Sequence, residues 1–322
     1  MKALTYSKYG GPEVLEINDQ DLPIPEEDQV LIKVHAASVN PLDWRRMRAE
    51  PFMVRFTSGL FKPKQAILGA DIAGRVEAVG KEVTLFKVGD EVFGDVSVQG
   101  FAEFVCATED QIAVKPASAS FEQAAALPVA GLTALQALRD NVDQVQGRQI
   151  LINGASGGVG SFAVQIATAW GGQVTGVCST SNVEMVKKLG ANHVIDYRKT
   201  DITQEKQRYD VLLDCVGNFT LSDMNRLLKP GGEAVVIGFK SMRNILHIAL
   251  RGGKKANAKR PKVISMTAKA RHHDLHALGQ MLADGSIKPE IERSYPFSKV
   301  KDAISHVETG RTKGKVTIID FP

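Results

Sequence analysis

Apolar and polar residues alternate in short runs over the first third of the chain. Residues 30–36 alternate and are rich in β-branched side chains, and short β-like runs at 73–80, 89–94 and 101–106 continue the series, separated by Gly, Pro or Asp. Many short strands with such turns predict a small β-barrel or sandwich up to about residue 115. From Phe121 the rhythm changes, and the alanine-rich runs 124–127 and 133–138 have helical composition. Strand patterns at 149–153, 173–177, 193–195, 211–214 and 233–237 then alternate with helix patterns at 161–170, 183–189 and 221–228. This alternation predicts an α/β domain with a doubly wound parallel sheet. After Pro289 the pattern is β-like again, with a helix at 300–308 and a strand at 315–320 that can rejoin the first barrel.

One junction in this pattern carries chemistry. The apolar run ending at Asn153 breaks into Gly154-Ala155-Ser156-Gly157-Gly158-Val159-Gly160 and resumes as a helix pattern through Phe162, Val164 and Ile166. A strand, a glycine turn and a helix opening aim free N–H groups and a positive dipole end at one point, where a pyrophosphate is the usual occupant. The fingerprint is incomplete, because Ala155 stands at its first glycine. Its place between a strand and a helix is what makes it a dinucleotide site rather than a plain turn.

The bulk properties remove other classes. A net charge of +4 and 6% aromatic residues do not suit a dedicated nucleic-acid binder with a base-stacking surface. At 322 residues there is room for two domains. The N-terminus enters a strand pattern at once, so no cleavable signal and no long apolar segment are read there. Cys106, Cys178 and Cys215 are odd in number and far apart, which predicts no disulfide framework and a reducing, cytoplasmic setting. Residues 251–262, rich in Lys, Arg and Gly, read as a solvated lid, with contact to an anionic membrane or RNA as the sharper alternatives.

The nucleotide follows from the end of the second strand pattern. An NAD site needs an acid there for the ribose hydroxyls, and the residues present are Ser179, Thr180, Ser181 and Asn182. No acid occurs until Glu184. Hydroxyls and an amide can bind a 2′-phosphate that a carboxylate would repel, so NADPH is favoured. The same residues also suit a helix N-cap.

The order of parts, with Ser38-Val39-Asn40-Pro41-Leu42-Asp43, Leu68-Gly69-Ala70-Asp71, Gly89-Asp90-Glu91-Val92, Leu127-Pro128-Val129-Ala130-Gly131, Asn153–Gly160 and Gly314-Lys315-Val316, resembles the medium-chain dehydrogenase/reductase superfamily. Within it, the chain is similar to the zinc-independent quinone oxidoreductases, the zeta-crystallin-like branch. The resemblance implies a GroES-like substrate domain over 1–122, a Rossmann NADP-binding domain over 123–288 and a C-terminal return over 289–322. It also implies a homodimer joined through the edges of the Rossmann sheets; the mild charge and the lid reading of residues 251–262 argue against membrane or nucleic acid as a partner.

Zinc members hold their metal with a cysteine, a histidine and a nearby acid. Here Asn40 stands near the cysteine position and Ala70 at the histidine, leaving Asp71, and the four-cysteine lobe is absent. No metal is therefore expected. His272, His273 and His276 read as a solvated helix face. Without a Lewis acid, reduction of an electron-poor acceptor is the implied chemistry: hydride from NADPH to a quinone, or to the double bond of an enone or alkenal. A non-enzymatic NADPH- or RNA-binding or crystallin-like role is the remaining reading.

The resemblance also implies site residues. Asn40 and Asp43 fall on a loop facing the nicotinamide pocket, where Asn40 orients a carbonyl or simply forms an Asn–Pro turn. Arg45, in place of a family tyrosine, either stabilises an enolate-like oxygen or lies on the surface. Thr133, opening a helix, is placed near the nicotinamide ribose or phosphates. Ser156, Gly157, Gly158 and Val159 face the pyrophosphate, and Ser179, Thr180 and Asn182 the 2′-phosphate. Tyr197 contacts the adenosine phosphate or is a core or edge tyrosine. Cys215 and Val216 flank the adenine-side ribose, while Gly238 and Phe239 border the nicotinamide. Lys315 is placed near the 2′-phosphate or the domain cleft, and Phe52 and Met266 are pocket walls or core.

Overall fold

In the computed structural model, which describes residues 1–238, 248 and 261–322, the chain divides into two compact units. The first is Met1–Leu132 with Ala270–Pro322, and the second is Thr133–Lys269. These divisions fall at 132/133 and 269/270, whereas the resemblance implies 122/123 and 288/289.

The first unit is built on β3 (Gln29–Val39), an eleven-residue strand long enough to serve several partners. A seven-stranded sheet runs β14 (Ile291–Pro296), β15 (Lys315–Ile319), β3, β4 (Asp71–Val79), β5 (Glu91–Asp95), β7 (Ile112–Val114), with β6 (Phe104–Thr108) also pairing β3. A separate two-stranded sheet joins β1 (Lys2–Thr5) to β2 (Glu16–Asp19). The C-terminal strand does rejoin the first barrel: β15 lies antiparallel to β3, with Val316 opposite Val39 and Thr317 opposite Ser38. β3 pairs β4 with Ser38 opposite Asp71.

Helices close this unit by periodic apolar faces. In α9 (Val300–Glu308) the buried residues are Val300, Ala303, Ile304 and Val307, the i, i+3, i+4, i+7 stripe of one helix face. They share a core with Leu4, Met47, Leu68, Phe101 and Ile318. α8 (His272–Ala283) explains the shifted boundary. Its Leu278 packs at Gly131, its Gly279 faces the Phe93 ring, and His272 Nδ1 lies 2.8 Å from the Ile112 carbonyl oxygen, so it belongs to the barrel rather than the parallel sheet.

The second unit is the doubly wound sheet. Its strands β8 (Gln149–Asn153), β9 (Gln173–Cys178), β10 (His193–Asp196), β11 (Tyr209–Asp214), β12 (Leu228–Val236) and β13 (Lys262–Ser265) are all parallel to their neighbours. The spatial order is β10-β9-β8-β11-β12-β13. The chain starts at β8, winds outward to β10, then returns to β11 and winds the other way. The switch point therefore lies between β8 and β11, and the crevice at their carboxyl ends is where such sheets bind ligands.

Helix α5 (Gly158–Ala169) follows β8 and buries Phe162, Ala163, Val164, Ile166 and Ala167. Full burial of side chains such as Phe162 and Ile166 contributes about 1.5–3 kcal/mol each. The sheet's own core gathers Leu151, Val177, Tyr209, Leu212, Met224 and Leu227. Among the described residues, no helix is long and apolar enough to cross a membrane.

Candidate active site

In the second unit, the site forms at the carboxyl end of β8. Gly154 has φ +79, and an added Cβ would lie 2.7 Å from Val216 Cγ2, so only glycine suits this turn. The N–H groups of Gly154 and Ala155 bond the Val177 carbonyl at 3.1 and 3.0 Å, fastening the turn to β9. At Gly160 an added Cβ would overlap the Gly154 carbonyl oxygen and lie 2.8 Å from Ala155 Cα, so helix and strand meet backbone to backbone. Gly157 differs: the nearest atom to an added Cβ is 3.5 Å away.

Gly157 is the N-cap of α5, and no side chain caps it. The N–H groups of Gly158, Val159 and Gly160 have no acceptor within the helix. This open, uncapped start is a cradle for a pyrophosphate, and a dinucleotide fits the residues present.

Two strand-end side chains brace the crevice. Asn153 Nδ2 donates to Asp214 Oδ1 and to Asn218 Oδ1, each at 2.7 Å. Asp214, fully buried, also accepts from the N–H groups of Val216 (3.2 Å), Gly217 (2.8 Å) and Phe219 (3.2 Å). The loop carrying Cys215 and Val216 is thus wrapped around one carboxylate. Burial pushes the Cys215 thiol above the ordinary thiol range. Asn153 and Asp214 escaped the sequence reading, although each ends a strand pattern at the switch point.

The residues after β9 divide. Asn182 is buried and donates to Ser156 Oγ at 2.9 Å, which ties it to the glycine turn. Thr180 Oγ1 donates to Asp196 Oδ2 at 2.7 Å, and this hydrogen bond holds the Asp196 carboxyl below the usual range. Asp196 ends β10 opposite Cys178, a cross-strand neighbour that spacing along β9 alone could not reveal. Ser179 remains with its hydroxyl 3.4 Å from that of Ser181. Tyr197 follows Asp196, its N–H on the Cys178 carbonyl and its side chain 56% exposed, which removes the reading of it as a core residue.

Gly238 closes the end of β12, where an added Cβ would overlap the Cys215 carbonyl. Phe239 lies outside the described residues, as do residues 251–260 of the basic segment. Lys262 is described and pairs with Glu233 at 3.0 Å within the sheet unit. Thr133 does not open a helix: α4 runs Pro128–Asn141, and Thr133 is buried inside it. Met266 accepts a hydrogen bond from Asn141 at 3.6 Å, and Phe52 is 61% exposed with Arg55 stacked on its ring.

In the first unit, sheet register gathers a buried polar cluster. Asp71 Oδ2 accepts from Ser38 Oγ (2.7 Å), Asn40 Nδ2 (2.8 Å) and Lys315 Nζ (3.0 Å). Its Oδ1 accepts from the Val129 N–H at 2.8 Å, in the first turn of α4. Lys315 Nζ also donates to Asn40 Oδ1 at 2.6 Å. The Lys315 side chain is 3% exposed and that of Asp71 0%. Lys315 therefore serves Asp71 and Asn40, where its strand position opposite the end of β3 places it.

Asn40 and Asp43 lie at a helix start rather than on a loop. Asn40 is the N-cap of α1 (Pro41–Arg48), and the Asp43 carboxylate takes the Asn40 N–H at 2.7 Å and the Gly69 N–H at 3.2 Å. Asp43 is fully buried, and burial pushes its carboxyl up to about 7. With both oxygens on backbone N–H groups, it positions Asn40. Arg45 sits over the Trp44 ring at 4.8 Å and is half-buried. Of the three histidines in α8, His272 packs against Phe86 and Ile112, while His273 and His276 are exposed.

A barrel unit with an interleaved C-terminal strand, and a doubly wound sheet with an open phosphate cradle, define the class of two-domain α/β nucleotide-dependent oxidoreductases. The family model described as alcohol dehydrogenase GroES-like domain matches residues 26–136, and the one described as zinc-binding dehydrogenase matches 189–318. The 2-methylene-furan-3-one reductase of Solanum lycopersicum is 35% identical over all of this chain and 80% of its own. The quinone oxidoreductase structure from Coxiella burnetii superposes with TM-score 0.89 and 32% identity over 99% of both chains. Escherichia coli quinone oxidoreductase complexed with NADPH gives TM-score 0.84 and 26% identity over 99% of this chain and all of its own. The chain belongs to the medium-chain dehydrogenase/reductase superfamily, in its quinone oxidoreductase branch.

The zinc in that family description can be tested against the residues. Zinc wants deprotonated sulfur, imidazole or several carboxylates. The cluster at Asp71 offers one carboxylate, a serine, an amide and a lysine, and the Lys315 ammonium lies within 3.0 Å of both Asp71 and Asn40. This set does not fit zinc. Among the described residues, no three of His, Cys, Asp and Glu gather as a metal-binding group.

Proposed function

We propose that this protein is an NADPH-dependent, zinc-independent reductase that delivers hydride to a quinone. The observation that carries the reading is the uncapped helix start at Gly157–Gly160 over the β8–β11 switch point. NADPH is the cofactor supported by the superposable relative that carries it. Bound there, it supplies a hydride at nicotinamide C4. The protein's own residues cradle the pyrophosphate through Gly158, Val159 and Gly160, offer Ser179, Ser181 and the exposed Tyr197 around the adenosine end, and brace the crevice through Asn153 and Asp214.

Zinc independence is supported by the lysine-centred donor set at Asp71. A protein without a Lewis acid needs an acceptor that is already electron-poor, which a quinone is. Reduction of an alkenal or enone double bond is the second reading, favoured by the relative named as a 2-methylene-furan-3-one reductase. Asn40 is the residue for the acceptor carbonyl, with Asp43 fixing it, and Arg45 is a further candidate for charge on that oxygen.

A homodimer through β13 accords with that strand having one sheet neighbour, β12, among the described residues. Light scattering on the purified protein tests it, and a monomer at working concentration would remove it. A cytoplasmic location accords with three free cysteines; fractionation tests it. The function is tested by following NADPH oxidation against panels of quinones and of alkenals. Turnover of quinones above alkenals is expected, and the reverse order would establish the second reading.

A further inference from the structure

The Asn40 carboxamide has more donors than its partners use. Its oxygen accepts from Lys315 Nζ at 2.6 Å, and its Nδ2 donates one hydrogen to Asp71 at 2.8 Å. An amide carries two hydrogens, and the second has no partner among the described residues. Asn40 is 2% exposed, so this hydrogen is hidden from bulk water, where an unmet donor is costly. A buried donor with no protein acceptor calls for an oxygen from elsewhere.

Its surroundings keep that donor effective. The ammonium on the amide oxygen draws electron density away from the nitrogen and offsets the density that the Asp71 carboxylate returns through the other N–H. Lys315 and Asp71 are 3% and 0% exposed, so little solvent screens them. The arrangement is rigid as well. Asp71 is held by Ser38, Lys315 and the start of α4, and the Asn40 backbone is held by Asp43.

We propose that Lys315 is a positioning residue for the reduction: paired with Asp71, it locks and polarises the Asn40 carboxamide, whose remaining N–H binds the acceptor's carbonyl oxygen. The inference rests on the reductase reading above. In that reaction an enone gains hydride at its β-carbon, the C=C electrons move to the carbonyl oxygen as an enolate, and water returns a proton, with oxidation of the dihydronicotinamide. A quinone gains the same two electrons, and one of its oxygens becomes the hydroquinone anion before protonation. In both, negative charge grows on an oxygen, so a fixed donor there favours the transition state over the ground state.

The experiment is a double-mutant cycle on the full-length protein, reading NADPH Kd, kcat, acceptor KM and thermal stability. Lys315→Met is expected to lower kcat about 10- to 100-fold with NADPH Kd within about twofold, as for a misplaced reacting group. Asn40→Ala should do the same, and adding Lys315→Met to it should cost less than about threefold more, because the lysine acts through the amide. Lys315→Met strands Asp71, so the charge-neutral pair Asp71→Asn with Lys315→Met provides a second folded variant, expected to keep the kcat defect. Lys315→Arg, which keeps the charge, should recover part of kcat. Wild-type kcat in a folded Lys315→Met or in the neutral pair overturns the proposal, as do losses that simply multiply in the Asn40→Ala background. A wild-type protein that binds NADPH but reduces no quinone or enone overturns the functional reading itself, and this inference with it.

Discussion

Two alanine substitutions three residues apart separate the cradle from the fold. At Gly157, φ is −83 and the nearest atom to an added Cβ is 3.5 Å away, so alanine fits without strain. Alanine is a poorer N-cap than glycine by up to about 1 kcal/mol, yet it restricts the unfolded chain by roughly 0.4–1 kcal/mol. The two nearly cancel, and Gly157→Ala should melt within about 2 °C of wild type. Its methyl group would nevertheless stand where a pyrophosphate meets the helix N–H groups. Loss of one charge-assisted hydrogen bond, about 2 kcal/mol, weakens binding roughly 30-fold.

At Gly160 the outcome should reverse. The added Cβ would overlap the Gly154 carbonyl and crowd Ala155 Cα, both backbone atoms that no rotamer change can relieve. Overpacking of this kind costs about 3 kcal/mol or more, a fall of roughly 6–12 °C for a domain of this size. The assay is thermal melting beside NADPH fluorescence titration for each variant. A Gly157→Ala protein that binds NADPH with wild-type affinity would refute the cradle, and a Gly160→Ala protein with wild-type stability would refute the close helix–strand contact.

Three further outcomes follow from the same structure. Asp43 has its carboxyl raised to about 7 in the fold against an ordinary value near 4, so the fold binds its proton more tightly than the unfolded chain does; its contribution to stability is present below about pH 4 and is lost as pH rises to about 7. Denaturant melts across that window should show a component of this slope that Asp43→Asn removes; an unchanged profile would refute it. Asp214→Ala should cost about 3 kcal/mol or more, because one Asn153 Nδ2 hydrogen and the N–H groups of Val216, Gly217 and Phe219 lose the carboxylate they share, and a loss below about 1 kcal/mol by chemical denaturation would contradict the wrapped loop. Ser179→Asp should shift preference from NADPH toward NADH by about 10-fold or more through like-charge repulsion of the 2′-phosphate, and an unchanged ratio of the two Kd values would place that phosphate elsewhere.

What the sequence made legible was local. The run from Gln149 to Ala169 carries strand period, turn glycines and helix period in one stretch, and each is a property of neighbours along the chain. The strand Lys315–Ile319 and the helix Val300–Glu308 were readable for the same reason. The partners of Lys315 were not, because Asn40 and Asp71 lie 275 and 244 residues away and meet it only through the β15–β3–β4 register. Asp196 was hidden likewise, since its closeness to Thr180 depends on which strand lies beside β9. The Asn40-Pro41 start of α1 suits a turn as well as a helix along the sequence, and the Asp43 carboxylate on the Asn40 N–H selects the helix. The unit boundary moved because α8 has an ordinary amphipathic pattern that does not say which sheet it covers.

The most direct test of the whole reading is NADPH oxidation by purified protein, followed with and without a strong chelator, against a quinone, an alkenal and, in reverse with NADP⁺, a primary alcohol. The expected result is turnover of an electron-poor acceptor at a rate the chelator leaves unchanged, with no alcohol oxidation. Activity that vanishes with the chelator and returns with zinc, or tight NADPH binding with no acceptor reduced, would contradict it.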